Sequence, residues 1–237
     1  MVQKSFMSDS SHHMLSDSFP PGNIAAFFDV DNTLIPGQSI EIHFVRYLWK
    51  NGFLSNRVLI DSALYLLFNL LELSLRPLRE RKIYLTNKRP EGVEPLAKWF
   101  VRSEICPRLS LQGTAALAQH QQAGHQVALV SGTPEFLIEP LAHYLDVPNV
   151  LAAQLETNED GYTCRVLSPY PYGEGKRRLL QTFADSHGVD LAQSYAYGDS
   201  PGDIQALESV GHPLVVNPIR GMARIARRHR WPTTVWA

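Results

Sequence analysis

The chain has 237 residues, of which 44% are hydrophobic and 19% are charged, so it can bury a sizeable core as one domain or as a domain with an insertion. Its formal net charge of -1 excludes a broad basic field for nucleic acid, and we expect no nucleic-acid partner. The basic residues between 224 and 230 are interpreted as a solvated helix end.

The first 22 residues are rich in Ser, His, Asp and Pro and are predicted to be a flexible tail. The pair His12 and His13 is therefore assigned to the tail and not to a metal site. This stretch has no continuous apolar run of signal-peptide length, and Cys106 and Cys164 lack CxxC spacing. These observations predict a cytoplasmic protein.

The first predicted strand, residues 24–28, is an apolar run that ends directly before Asp29-Val30-Asp31-Asn32-Thr33-Leu34. Ligands of open α/β sheets bind at the carboxyl ends of the strands. Two carboxylates two residues apart at such a place repel each other unless a cation or a proton intervenes. The sequence therefore predicts a chemically active site after this strand.

Residues 39–107 are predicted to form an inserted helical cap, since no convincing strand occurs among them and proline punctuates them. The core would then comprise residues 23–38 and 108–237. The predicted cap helices are residues 40–51, 56–75, 78–87 and 93–102.

Residues 58–75 are long and apolar enough to raise the question of a membrane segment. Asp61, Asn69 and Glu72 would be costly within a bilayer, and cap helices that pack on a sheet need apolar faces. A buried cap helix is the favoured interpretation, so membrane contact is not expected. The alternative, an element that dips into a membrane, would fit a lipid-like substrate.

Strands and helices alternate beyond the cap, which predicts a parallel sheet. Two extended runs, residues 150–156 and 162–167, flank the turn at 158–161 and are predicted to form a hairpin flap beside the site. The alternating elements are helix 111–123, strand 126–130, helix 135–145, helix 176–187, strand 194–197, helix 203–210, strand 214–216 and helix 220–229.

Polar signals recur at the ends of the later strands. Residues 131–133, Ser-Gly-Thr, follow the second strand of the core, and Lys176 follows the hairpin. Asp199 and Asp203 frame a Ser-Pro-Gly turn after the strand at 194–197. Parallel strands place their carboxyl ends at one edge, so we expect these groups to meet the two aspartates of the first strand.

These motifs and their order resemble the haloacid dehalogenase superfamily, and within it the phosphoserine-phosphatase-like branch with a helical cap. The resemblance covers nearly everything from residue 24 onward. The family's four motifs correspond to Asp29, Asp31 and Thr33, then Ser131, then Lys176, and finally Asp199 and Asp203. The resemblance implies an α/β fold with a Rossmann-like three-layer parallel sheet core and an inserted helical cap of the C1 type.

The resemblance also implies a phosphatase that acts on phosphomonoesters through an aspartyl-phosphate. Asp29 would be the nucleophile, and Asp31 the general acid and base. Ser131 and the backbone N-H of Gly132 would hold phosphate oxygens, while Lys176 would neutralise their charge. The expected substrate-binding residues are Thr33, Gln38, Arg46, Gly132 and Thr133.

The cofactor that the resemblance implies is Mg²⁺, a hard cation suited to carboxylates and carbonyl oxygens. Asp29, the Asp31 carbonyl and Asp199 would be its ligands. Asp203 is included in the metal site, with the more specific expectation that it orients metal-bound water or Lys176.

Two positions depart from the pattern of phosphoserine phosphatases. Their acidic residue nine positions after the nucleophile, which pairs with the substrate ammonium, is Gln38 here, and their Asn before the last acid is Gly202. Both departures count against phosphoserine itself as the substrate. The resemblance as a whole implies a small phosphorylated metabolite of the phosphoserine or histidinol-phosphate type. Further candidates for specificity are Ser39, His43, Tyr170 and Tyr172.

Alternative functions stay open. One is hydrolysis of a lipid-like phosphate of the lysophosphatidate or phosphatidylglycerophosphate type, and another is phosphotransfer. A phospho-accepting switch similar to a response-regulator receiver is disfavoured by Asp31, because a receiver has no acid two residues after its nucleophile. A catalytically idle binding module is disfavoured by the complete set of motifs.

Overall fold

The computed structural model describes residues 23–37, 39–57, 60, 64 and 81–236. The predicted tail, Gln38 and nearly all of the predicted helix at 56–75 beyond residue 57 lie outside the described residues. Within the described part, no helix is long and apolar enough to cross a membrane.

In chain order the strands are β1 (Ala25–Phe28), β2 (Gln126–Pro134), β3 (Asn149–Ala153), β4 (Leu155–Asn158), β5 (Gly161–Val166), β6 (Tyr195–Gly198), β7 (His212–Val216) and β8 (Thr233–Thr234). Six of these strands form a parallel sheet at the centre of the molecule, in the order β3-β2-β1-β6-β7-β8. Strands β4 and β5 form a separate antiparallel hairpin.

Helices connect these strands, and several begin where the sequence supplies a cap. The hydroxyl of Ser39 accepts a hydrogen bond from Glu41 N, and that of Ser110 from Gly113 N, which satisfies N-H groups that the first turn leaves unpaired. In chain order the helices are α1 (Ile40–Lys50), α2 (Pro90–Phe100), α3 (Leu111–Gln122), α4 (Glu135–Tyr144), α5 (Glu174–His187), α6 (Ile204–Glu208) and α7 (Met222–His229).

Strand β1 is buried on both faces, which explains its continuous apolar sequence. Successive side chains of a strand point to opposite faces. Ala25 and Phe27 share a cluster with residues of α5, α6 and α7, while Ala26 and Phe28 share the cluster of α3, α4 and the cap helices. The sheet is therefore the middle of three layers, which confirms the predicted α/β fold class.

The helices of the predicted cap share a hydrophobic cluster with the core. Phe44 of α1 lies 5.3 Å from Phe100 of α2 and 5.9 Å from Phe136 of α4, measured between ring centroids. This packing connects α1, which follows the first motif, to the helix that follows the second. The division into a cap at 39–107 and a core on either side stays a prediction.

The predicted helix at 78–87 is wrong over the residues that the structure describes. Arg81 forms an antiparallel bridge with Arg165 of β5, and Lys82 N donates to Cys164 O over 2.7 Å. Only a short 3₁₀ turn, Ile83–Leu85, follows. The backbone here pairs with the hairpin, and this long-range pairing overrides the local preference for helix.

The predicted hairpin also needs correction. Residues 149–153 belong to the central sheet as β3, so only Leu155–Asn158 pairs with β5. The hairpin contacts the cap segment, because Tyr162 N donates to Lys88 O. The hairpin was predicted to lie beside the site. Its residues do not line the cavity described below, whereas residues between β5 and the next helix line it. Strand β8, which is two residues long, was not predicted from the sequence.

Candidate active site

A cavity of about 230 Å³ opens at the carboxyl ends of β1, β2 and β6. Its walls come from the ends of these strands, from the first turns of α1 and α5, and from the segment between β5 and α5. The predicted site residues that line it are Asp29, Asp31, Gly132, Thr133, Lys176, Asp199 and Asp203. The structure thus brings together groups from all four motifs.

Lys176, in the first turn of α5, is the centre of the site. Its Nζ donates to Asp29 Oδ1 over 2.5 Å, to Asp203 Oδ1 over 2.6 Å and to Val130 O over 3.1 Å, and the residue is only 4% exposed. Burial by itself would lower the pKa of Lys176, but Asp203 and Asp29 outweigh it and raise that pKa above its ordinary value. The amine is therefore held as an ammonium.

The carboxylates near this ammonium outnumber its single positive charge. Oxygens of Asp29, Asp199 and Asp203 lie within 4.8 Å of one another, and all three residues are buried. Burial raises the pKa of Asp29 well above its ordinary value, with Lys176 opposing and Asp203 adding to the rise. Burial and then Asp203 raise the pKa of Asp199 to about 6.

Asp203 fixes the loop that carries Asp199. Its Oδ2 accepts hydrogen bonds from Ser200 N over 3.0 Å, from the Ser200 hydroxyl over 2.8 Å and from Asp199 N over 3.3 Å, while its Oδ1 accepts from Lys176. Both oxygens of Asp203 thus accept from the protein. This supports the expectation that Asp203 orients Lys176. Its contacts with Ser200 form a capping box in which Ser200 is the N-cap residue.

Asn32 connects the first motif to the last, and the sequence analysis gave it no role. Its Nδ2 donates to Asp199 Oδ2 over 2.9 Å and to Asn217 O over 3.0 Å. The residue adopts a left-handed conformation, with φ of 59°, which Asn tolerates better than most side chains. An Asn directly after the second acid was the signal for such a turn.

Asp31 is held on both sides by groups of different elements. Its Oδ1 accepts from Ile40 N at the start of α1, and its Oδ2 accepts from the Thr133 hydroxyl, each over 2.7 Å. A hydroxyl can donate or accept, so the contact with Thr133 persists whether Asp31 is ionised or protonated. The side chain of Thr133, predicted to bind substrate, is engaged with Asp31 here.

Other predicted residues are not brought to the cavity wall. Ser131 is buried, its Oγ accepts from Thr133 N over 3.1 Å, and it is not among the lining residues. Thr33 is fully buried, with no hydrogen-bond partner for its hydroxyl among the described residues. Arg46 and His43 lie on α1 without lining the cavity, and Gln38 lies outside the described residues. Their roles stay predictions.

The region predicted to be a cap contains an ion pair that the sequence did not indicate. Lys82 Nζ donates to Glu41 Oε2 over 2.6 Å, and Glu41 lines the cavity. Lys82 is buried, which by itself would lower its pKa, and Glu41 raises that pKa above its ordinary value. Its Nζ also lies 5.9 Å from the ring centroid of Tyr170. Arg220, after β7, lines the cavity as well.

The donor set fits a hard divalent cation. Asp29 and Asp199 offer carboxylate oxygens, the ligands that Mg²⁺ prefers, and the buried negative charge exceeds that of the ammonium beside it. Because burial and mutual repulsion disfavour the ionised carboxylates, a bound cation would relieve the excess.

The comparison with protein families agrees with this geometry. A family model described as haloacid dehalogenase-like hydrolase matches residues 26–208. The chain belongs to this family. The match spans the segment from β1 to α6, and so includes every residue of the cluster around Lys176.

Several named relatives are phosphatases. A probable phosphatase of Mycobacterium tuberculosis is 31% identical over 218 residues, which cover 90% of this chain and 75% of that protein. A histidinol-phosphatase of Neisseria meningitidis is 31% identical, with 87% and 96% covered. A phosphoserine phosphatase of Mycobacterium tuberculosis is 32% identical, with 91% and 72% covered. These relatives support the prediction that the chain is a phosphatase.

Among solved structures, a protein of unknown function from Bordetella pertussis is similar to this chain. The TM-score is 0.77 at 27% sequence identity, and the match covers 89% of this chain and 98% of that one. The sheet and its helices are therefore shared with this protein along nearly its whole length.

The excess of acids gives a prediction for Asp199→Asn. Without metal, we expect this variant to be at least as stable as the wild type, because it removes one of the crowded negative charges. Mg²⁺ at 100 times its Kd should raise the free energy of unfolding of the wild type by about 2.7 kcal/mol, and the variant should lose most of this gain. Urea unfolding at pH 7, with EDTA or with Mg²⁺, measures both.

The matched control is Asp185→Asn, since Asp185 is exposed on α5 and accepts only from Gln181 among the described residues. It should gain as much from Mg²⁺ as the wild type does. An equal gain in Asp199→Asn would contradict a metal site at Asp199.

Proposed function

We propose that the chain is a Mg²⁺-dependent phosphomonoester hydrolase that works through an aspartyl-phosphate on a small organic phosphate. The observation that carries this proposal is the position of Lys176, which donates to both Asp29 and Asp203 at the carboxyl edge of the sheet. Phosphoryl transfer needs a nucleophile, a charge clamp and a proton source for the leaving oxygen. The cavity holds a candidate for each.

Asp29 is the proposed nucleophile. Its backbone is fixed by the hydrogen bond from Asp29 N to Tyr197 O, and Lys176 holds Oδ1. A carboxylate oxygen of Asp29 would form a bond to phosphorus while the bond from phosphorus to the ester oxygen breaks. Covalent catalysis of this kind divides hydrolysis into two easier steps.

Asp31 is the proposed general acid and base. It would give its proton to the departing ester oxygen and then take a proton from water, whose oxygen bonds to phosphorus as the bond to Asp29 breaks. Ile40 N and the Thr133 hydroxyl keep its carboxyl group in one orientation through both steps. Orthophosphate and free Asp29 result.

Phosphate oxygens would be held by Gly132 N, with the Ser131 hydroxyl as a further proposed donor, and Lys176 would neutralise their charge in the transition state. Asp29 and Asp199, with the Asp31 carbonyl, would hold Mg²⁺. When bound, this ion would neutralise charge on the phosphate oxygens. Asp203 is proposed to position Lys176 and to fix the loop of Asp199.

The substrate is proposed to be a small metabolite of the cytoplasm with a phosphoserine-like or histidinol-phosphate-like amino group. Relatives named for these two activities support the class. Glu41 is a carboxylate that lines the same cavity as Asp29 and Asp31, and it can accept a hydrogen bond from an amino group. A carboxylate at the cavity wall favours a polar leaving group over a lipid chain.

The direct test is Asp29→Asn. An amide is a poor nucleophile, so turnover of p-nitrophenyl phosphate with Mg²⁺ should fall by about 10⁴-fold or more. Acid quenching of a reaction with a ³²P-labelled phosphate ester should trap label on the wild type and none on the variant. Asp185→Asn is the control and should keep full activity. Undiminished labelling of Asp29→Asn would contradict the proposed nucleophile.

Asp31→Asn should discriminate between leaving groups. We expect kcat/KM to fall about 10²- to 10⁴-fold for an alkyl phosphate, whose leaving oxygen needs a proton, and much less for p-nitrophenyl phosphate. Because kcat/KM reports the steps up to the first irreversible one, the second role of Asp31 does not obscure the comparison. Equal losses on both esters would contradict Asp31 as general acid.

A further inference from the structure

The ring of Tyr172 packs directly on the backbone of Gly202. A Cβ atom placed on Gly202 would overlap the ring, at 2.6 Å from Cδ2 and closer still to Cε2. The conformation of Gly202 is not one that needs glycine, since its φ is not positive. The requirement for glycine at this position is therefore steric, and the group that imposes it is Tyr172.

The same segment packs on glycines of two other motifs. We refer to residues 167–173, between β5 and α5, as the tyrosine loop. A Cβ on Gly132 would lie 2.8 Å from the Tyr170 hydroxyl, and one on Gly175 would overlap the Tyr170 carbonyl. The tyrosine loop thus contacts the end of β2 at Gly132, the start of α5 and the turn before Asp203.

Hydrogen bonds hold the tyrosine loop in this position. Gly173 N donates to Gly202 O over 2.8 Å, Tyr172 N donates to Tyr170 O over 2.7 Å, and Gly175 N donates to Tyr172 O over 3.0 Å. Tyr172 lines the same cavity as Lys176 and Asp203, and the residue is 36% exposed. A ring that is fixed on one side and open on the other forms a wall.

We propose that Tyr172 is a specificity-determining residue whose ring, packed on Gly202, forms the cavity wall that the leaving group of the substrate contacts. This inference rests on the proposed phosphatase function. The ring comes from a distant part of the sequence and occupies the space that a side chain at position 202 would need. A wall of this kind selects leaving groups by size and shape.

The test compares two substrates with similar chemistry and different width, phenyl phosphate and 1-naphthyl phosphate. Tyr172→Ala should raise the ratio of kcat/KM for the naphthyl ester over the phenyl ester about tenfold, because the wall is removed. Tyr172→Phe keeps the ring and should leave the ratio within about twofold of the wild-type value. A ratio within that range for Tyr172→Ala would overturn the proposal.

The contact with Gly202 is tested by a double-mutant cycle. Gly202→Ala must displace the ring, so it should change the ratio in the wild type and in Tyr172→Phe, and have no effect in Tyr172→Ala. Gly92→Ala is the matched control, since Gly92 lies in α2 and a Cβ placed on it would meet nothing within 4 Å. An equal effect of Gly202→Ala with and without the ring would overturn the contact.

The binding of orthophosphate separates the loss of a leaving-group wall from general damage to the active site. The inhibition constant of orthophosphate should be the same in Tyr172→Ala as in the wild type, because the leaving group is absent from orthophosphate. A tenfold rise would assign Tyr172 to the phosphate site and overturn the proposal. If the wild type hydrolyses neither ester, the phosphatase function fails first, and this inference fails with it. Wild-type turnover with an unchanged ratio refutes this inference alone.

Discussion

The buried ammonium of Lys176 between two carboxylates is the interaction on which the rest of the site depends. Burying an isolated charge has a high desolvation free energy, and Asp29 and Asp203 offset it by accepting hydrogen bonds from the ammonium. The arrangement leaves a surplus of negative charge, since Asp199 lies in the same cluster. A bound cation would complement this surplus of negative charge, and the phosphoryl group of a substrate would complement the ammonium.

The fold produces this concentration of charge by its topology. Parallel strands β1, β2 and β6 end at one edge, where polar residues follow β1 and β6 and form the last residues of β2. Side-chain hydrogen bonds then fix these residues relative to one another, because Asn32 donates to Asp199 and Thr133 donates to Asp31. The region predicted to be a cap adds Glu41 to the cavity and Lys82 as its partner, and it shares a hydrophobic cluster with α4.

The sequence was sufficient to predict β1, β2, β6 and β7 of the sheet and the cluster around Lys176, because the ends of β1, β2 and β6 carry local signals: an apolar run and then acids or Ser-Gly-Thr. Residues of β3 were assigned to the hairpin, and β8 was not predicted. It was not sufficient where distant segments decide the outcome. Lys82 and Glu41 are 41 residues apart, and neither stands in a motif. Pairing with β5 replaced the predicted helix at 78–87, and the role of Gly202 emerges only from the ring of Tyr172 that packs on it. Local pattern carries no information on such contacts.

Asp29 is proposed to accept the phosphoryl group beside Lys176. A crystal structure of the chain with Mg²⁺ and beryllium fluoride, which mimics a phosphoryl group on a carboxylate, would show whether it does. We expect beryllium bonded to a carboxylate oxygen of Asp29, a fluorine within hydrogen-bond distance of Lys176 Nζ, and the cation on Asp29 and Asp199. Beryllium bonded to Asp31, or a fluoride complex bound away from Lys176, would contradict it.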